Sequence, residues 1–204
     1  MERMNRMVYS LGVLLADGFE TIEALLPVDV FRRAGEKVVL LSTNGKKEVL
    51  SAQGVTIKTD ALMEELDPKD LKAVFLPGGM GGAESLRDNL KAREFIQEVY
   101  ANEGLVAAIC AGPIVLEKAG LLKETHFTAF PGLEEKYFEG LKPEDQLVVL
   151  DKRILTSRGP APAFPFALAL LATVSSPIKA EAIYQAMQGP MVFPAEKWKN
   201  ISID

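Results

Sequence analysis

Four short runs of almost unbroken apolar residues, each handed to a turn of small residues and then to a helix-length segment, constrain this chain most. Residues 7–15, 37–43, 73–76 and 105–109 carry Val, Leu, Ile, Ala and Phe with little alternation, as strands covered on both faces require. Residues 20–34 have a helical pattern that stops at Gly35, and residues 91–102 form an amphipathic helix closed by Gly104. Asn44-Gly45 predicts a turn, with short strands near Val49 and over 55–58. A helix over 112–119 ends at Gly120. A hairpin joins 147–150 to 153–156, and helices over 164–174 and 178–188 complete the pattern. Strands separated by helices imply βαβ units and a mainly parallel sheet with helices on both faces. The expected fold is a single-domain α/β sandwich of flavodoxin-like type over residues 1–188, followed by an extension over 189–204. In such sheets a ligand site lies beyond the carboxyl ends of the strands. That rule directs attention to Asp17-Gly18, Pro77-Gly78-Gly79, Cys110 and Arg158-Gly159-Pro160.

Composition removes several functions. A net charge of −5 leaves no basic face for a nucleic acid. No apolar run approaches the roughly 20 residues that span a bilayer, so no membrane is expected. Residues 1–7 lack the apolar stretch and small-residue cleavage site of a signal peptide, which makes a cytoplasmic protein the expectation. One cysteine forbids an internal disulfide, and one histidine beside it leaves no zinc ligand set, so no metal is expected. No phosphate-cradling P-loop is present, and no cofactor is expected.

The chemistry concentrates on Cys110. Ala107-Ala108-Ile109-Cys110-Ala111-Gly112-Pro113 passes from buried strand to helix with no residue to spare. Small neighbours permit the strained backbone of a nucleophile elbow, and Pro113 suits the first turn of a helix. A sulfur at a helix N-terminus faces unsatisfied N–H groups, which lowers a thiol pKa. Gly78 and Gly79 end the neighbouring strand, so their backbone can offer an N–H, with that of Ala111, to an oxyanion. Glu23 is the acidic partner. Glu20 reads as an acid favoured at a helix start, but Glu23 stands four residues before Pro27, which removes the hydrogen bond to its carbonyl. A carboxylate repels a thiolate, so the pair is useful only with the proton on Glu23, donating to sulfur.

Glu23-Ala-Leu-Leu-Pro27-Val-Asp-Val-Phe-Arg-Arg-Ala-Gly35, Leu76-Pro-Gly-Gly79, Ala107-Ala-Ile-Cys110-Ala-Gly-Pro113 and Leu155-Thr-Ser-Arg-Gly-Pro160 resemble, in order, the ThiJ/PfpI family. The similarity is to the branch of the Parkinson-disease protein deglycase, within the class I glutamine amidotransferase-like superfamily. It implies a homodimer, Cys110 and Glu23 as catalytic residues, and a cysteine that oxidises to a sulfinate held by the protonated glutamate. It also implies oxyanion N–H groups from Gly79 and Ala111, and Arg158 as an anion- or substrate-binding residue. Arg33 matches a family arginine and reads equally well as a structural ion pair. Relatives of peptidase type have His directly after the cysteine, where this chain has Ala111. The deglycase branch can place a His where this chain has Phe130. The one histidine, His126, falls in strand-like context and reads as structural. With no His-x-Glu after Cys110, proteolysis and amide transfer are disfavoured. The expected function is a cysteine-dependent deglycase or glyoxalase acting on small dicarbonyls or glycated proteins. The alternative is a non-catalytic redox sensor or redox-regulated chaperone using the same sulfur.

Overall fold

The computed structural model describes residues 8–202. Among these residues are nine strands: β1 (Leu11–Leu15), β2 (Val38–Ser42), β3 (Glu48–Leu50), β4 (Thr56–Lys58), β5 (Ala61–Leu62), β6 (Ala73–Leu76), β7 (Leu105–Ile109), β8 (Val148–Asp151) and β9 (Ile154–Ser157). The helices are α1 (Thr21–Arg33), α2 (Met80–Asp88), α3 (Leu90–Ala101), α4 (Pro113–Lys118), α5 (Glu134–Tyr137), α6 (Ala163–Val174), α7 (Pro177–Ala186) and α8 (Glu196–Lys199). Seven strands form one sheet in the order β5-β2-β1-β6-β7-β9-β8, parallel except for β8 at the edge, while β3 and β4 make a separate hairpin.

The apolar runs behave as their composition requires. Every residue of β1, β6 and β7 is buried, and alternate side chains enter two different cores. Leu11, Val13, Phe75, Ala107 and Ile109 meet α1 and α6 on one face. Leu14, Val74, Leu76, Val106 and Ala108 meet α2, α3 and α4 on the other. The period of two in a pleated strand divides them. The chain winds outward from β1 through β2 to β5, then restarts at β6 and winds the other way. The order therefore switches between β1 and β6, and a crevice opens at their carboxyl ends.

Three differences from the sequence reading have local causes. The first strand starts at Leu11, because Tyr9 makes only an isolated bridge to Leu71 and Ser10 bends the chain; Met7 lies outside the described residues. Helix α2 was not expected, since Gly81 and Gly82 in its first turn lower its propensity. Gly82 is there because it packs on Phe19, where a Cβ would come within 2.9 Å of the Phe19 nitrogen. The third is His126, which sits outside any strand, its ring 2.9 Å from Glu144 Oε1 and its N–H donated to Asp151.

The extension also finds its place. Trp198 is buried against Tyr184, with ring centroids 5.9 Å apart, and joins the same core as α6. Leu150 N–H donates to the Ile201 carbonyl at 2.8 Å, so this segment covers the outer edge of β8. Covering an edge strand removes a row of unpaired backbone groups that would otherwise template aggregation. Among the described residues, no helix is long and apolar enough to cross a membrane, and no three His, Cys, Asp or Glu side chains are placed to hold a metal ion.

Candidate active site at the sheet's switch point

Cys110 follows β7 with φ of 62°, a left-handed conformation that costs a non-glycine residue about 1–3 kcal/mol. Surrounding bonds over-determine it. Its N–H donates to the Ser157 carbonyl at 2.9 Å, and its carbonyl accepts from Phe130 N–H at 2.9 Å. The chain then turns at once, Gly112 N–H donating to the Ile109 carbonyl at 2.8 Å. Only glycine fits there, because a Cβ on Gly112 would lie 2.6 Å from the Leu76 carbonyl oxygen. The elbow read from the small residues is present.

Glu23 reaches the same point from α1. Glu20 caps that helix, its carboxylate accepting from Glu23 N–H at 2.7 Å, which sets Glu23 in the first turn facing β6. Its side chain is fully buried. One oxygen, Oε2, accepts from Gly78 N–H at 2.8 Å. The Gly78 carbonyl in turn accepts from Glu20 N–H at 2.9 Å, so the β6 turn and the α1 start hold each other in register. A Cβ on Gly78 would sit 2.3 Å from Glu23 Oε2 and 2.6 Å from Cys110 Cβ. Thiol and carboxyl therefore flank one glycine that has no room for a side chain. They lie close enough for each to shift the other's titration. The other carboxyl oxygen, Oε1, is buried with no hydrogen-bond partner among the described residues.

Electrostatics follow from that crowding. Burial pushes the Glu23 carboxyl up to about 7, and the Glu20 charge adds to the effect, while the bonds from Cys110 and Gly78 oppose it. Burial, followed by the Glu23 charge and the bond to it, pushes the Cys110 thiol up to about 12. Backbone N–H groups of Ala111 and Gly79 point at the sulfur and pull the other way. The lowered thiol pKa expected from the helix end is thus reversed, because burial and a neighbouring carboxylate outweigh two N–H dipoles. Between the two values the pair holds one proton for two acids. With that proton on Glu23 the repulsion disappears and the bond turns round to stabilise S⁻.

A cavity of about 190 Å³ opens over the sulfur, with Met80, Phe130 and Pro160 among its apolar walls. Residues 10–173 match the family model described as the DJ-1/PfpI family. The chain belongs to the DJ-1/PfpI family. It is 36% identical over 181 residues to the Parkinson disease protein 7 homolog of Danio rerio, covering 84% of this chain and 95% of that protein. It is 31% identical over 176 residues to dj-1beta of Drosophila melanogaster, covering 86% and 94%. Among solved structures, oxidized DJ-1 of Toxoplasma gondii matches with a TM-score of 0.82 at 32% identity, over 87% of this chain and 97% of that one.

Of the residues expected in this DJ-1/PfpI site, Cys110, Glu23, Gly79 and Ala111 converge on one cavity. Arg158 does not line it; the guanidinium is paired with Asp145. Arg33 pairs with Asp29 one helical turn away at 2.8 Å. Met80 was missed. Its signal was its place directly after Gly79, hidden by the glycines that follow. Glu20, read only as a cap, is a cap and a cavity-lining carboxyl together.

Proposed function

We propose that this member of the DJ-1/PfpI family is a protective protein that removes small dicarbonyls, or their adducts on proteins, through Cys110 and Glu23. The reading is carried by one observation: a buried carboxyl that titrates near neutrality touches the chain's one thiol at the floor of a small apolar cavity. A general acid or base works best when its pKa lies near the working pH. Methylglyoxal serves as the example. As Sγ adds to the aldehyde carbon, the thiol proton passes to the Glu23 carboxylate. The developing oxyanion meets the N–H groups of Gly79 and Ala111, then takes the proton from Glu23 to give a hemithioacetal. Glu23 next removes the proton from that carbon and returns it to the neighbouring one, while the hydroxyl proton passes to the ketone oxygen, converting the adduct to a thioester. Water cleaves the S–C bond, releasing lactate and restoring the thiol. One carbon is oxidised as its neighbour is reduced, so no external oxidant is required. Purified protein is expected to convert methylglyoxal to lactate, and Cys110→Ser to abolish the reaction with the fold intact. Equal rates in the variant would end the proposal.

A second reading uses the same sulfur as a redox sensor, and the oxidized state of the Toxoplasma relative favours it. Oxidation to a sulfinate adds two oxygen atoms to sulfur, and a protonated Glu23 donates a hydrogen bond to one of them. Mild peroxide is expected to add the mass of two oxygens at Cys110, and less of it in Glu23→Leu. Failure to oxidise under conditions that oxidise free cysteine removes this reading.

A further inference from the structure

The cavity carries two large side chains that the proposed chemistry does not use. Met80 opens α2 directly after the Gly79 N–H and is 40% exposed, and Phe130 is 47% exposed. A single exposed apolar residue needs no explanation. Two of them lining one cavity, whose surface is almost entirely hydrocarbon, do. Phe130 is held from two directions. Its N–H is bonded to the Cys110 carbonyl, and its ring lies over Gly159, where an added Cβ would stand 3.6 Å from a ring carbon. Pro160 continues that wall.

The charges are one-sided. The ionisable carboxyls that line the cavity belong to Glu20 and Glu23, and among the described residues no Lys or Arg lines it. Arg158, on the neighbouring strand end, is spent on Asp145. The Gly79 and Ala111 N–H groups are directed at the sulfur, so they serve an oxygen on the carbon bonded to it and leave a carboxylate further along the substrate without a donor. An anion entering here loses water, finds no cation, and meets carboxylates in a medium of low dielectric. A hydrocarbon tail or ring instead gains burial, with ring and thioether contacts from Phe130 and Met80.

We propose that this site admits uncharged carbonyl compounds bearing a hydrocarbon tail or ring and turns anionic ones away, with Met80 and Phe130 as the selecting residues. The inference rests on Cys110 as the reacting group and refines its substrate class: α-oxoaldehydes such as phenylglyoxal over α-oxoacids such as glyoxylate.

The test separates selection from turnover. With one cysteine in the chain, alkylation reports on Cys110 alone. Iodoacetamide and iodoacetate both lose iodide to the thiolate, but only the second carries a negative charge. After division by their rates with free cysteine, iodoacetamide is expected to be favoured about tenfold, a difference of about 1.4 kcal/mol. Phe130→Lys is expected to erase that preference. Should that variant fail to fold, Met80→Lys, in the exposed first turn of α2, makes the same test. Equal normalised rates in the natural protein, or an unchanged preference in a folded lysine variant, overturn the proposal. A kcat/KM comparison of phenylglyoxal with glyoxylate runs alongside. Selective alkylation with no turnover of either phenylglyoxal or methylglyoxal removes the catalytic reading and leaves the ligand class standing. Turnover with unselective alkylation does the reverse.

Discussion

Gly79→Ala is expected to lower the unfolding free energy by about 4 kcal/mol, from a methyl group placed where three backbone atoms already are. Gly79 has φ of 86°, and a Cβ there would lie 2.3 Å from the Gly18 carbonyl oxygen, 2.6 Å from Glu20 N and 2.7 Å from the Phe19 carbonyl carbon. None of these is a side chain that can rotate away. The α1 start would have to retreat from the β6 turn, taking Glu20 and Glu23 with it. A domain of this size has only about 5–15 kcal/mol to lose. Gly45→Ala separates the two contributions. Gly45 has nearly the same positive φ, 77°, with nothing within 4 Å of the added carbon. It should therefore show the conformational strain alone, about 1 kcal/mol. Urea midpoints of the two variants make the comparison, and equal losses would mean that the close approach of β6 to α1 carries no energetic weight.

The second large effect is a pH dependence of stability. In the folded state Glu23 titrates near 7 instead of the ordinary 4.5, because it is buried. Between those values the folded protein keeps a proton that the unfolded chain has released, so unfolding is favoured as pH rises. The stability associated with protonated Glu23 is complete below pH 4.5 and is lost as pH climbs through about 7, a total of about 3 kcal/mol. Glu23→Gln keeps an oxygen for Gly78 N–H and cannot ionise. Urea unfolding at intervals from pH 4.5 to 8 should show the variant gaining on the natural protein as pH rises. Parallel profiles would mean that Glu23 ionises at its ordinary pKa. Because the charge beside the sulfur is removed, the same substitution should also lower the thiol pKa, which alkylation rates against pH will report.

The elbow was legible in the sequence because its causes lie within a few residues. A buried strand, Ala and Gly about Cys110, and Pro113 at a helix start leave the backbone little choice. Glu23 was nearly as legible, through its place in a helix's first turn and Pro27 one turn on. Helix α2 escaped because Gly82 serves a contact with Phe19, more than sixty positions earlier in the chain. The ion pair of Arg158 escaped for a similar reason, since the Asp145 that claims it belongs to another segment.

By itself, then, the sequence determined the alternation of strands and helices, the strand ends that carry the chemistry, and the residue types placed there. Each depends on hydrophobic period, turn residues and helix caps, which act over about one turn or one strand. Only the tertiary structure decided the net direction of the Cys110 pKa, the carboxyl oxygen bonded to Gly78, the apolar walls over the sulfur and the seat of Trp198. Those are sums over groups brought together from β1, β6, β7 and β9. Desolvation and Coulomb forces depend on distance in space, and local pattern carries no record of it.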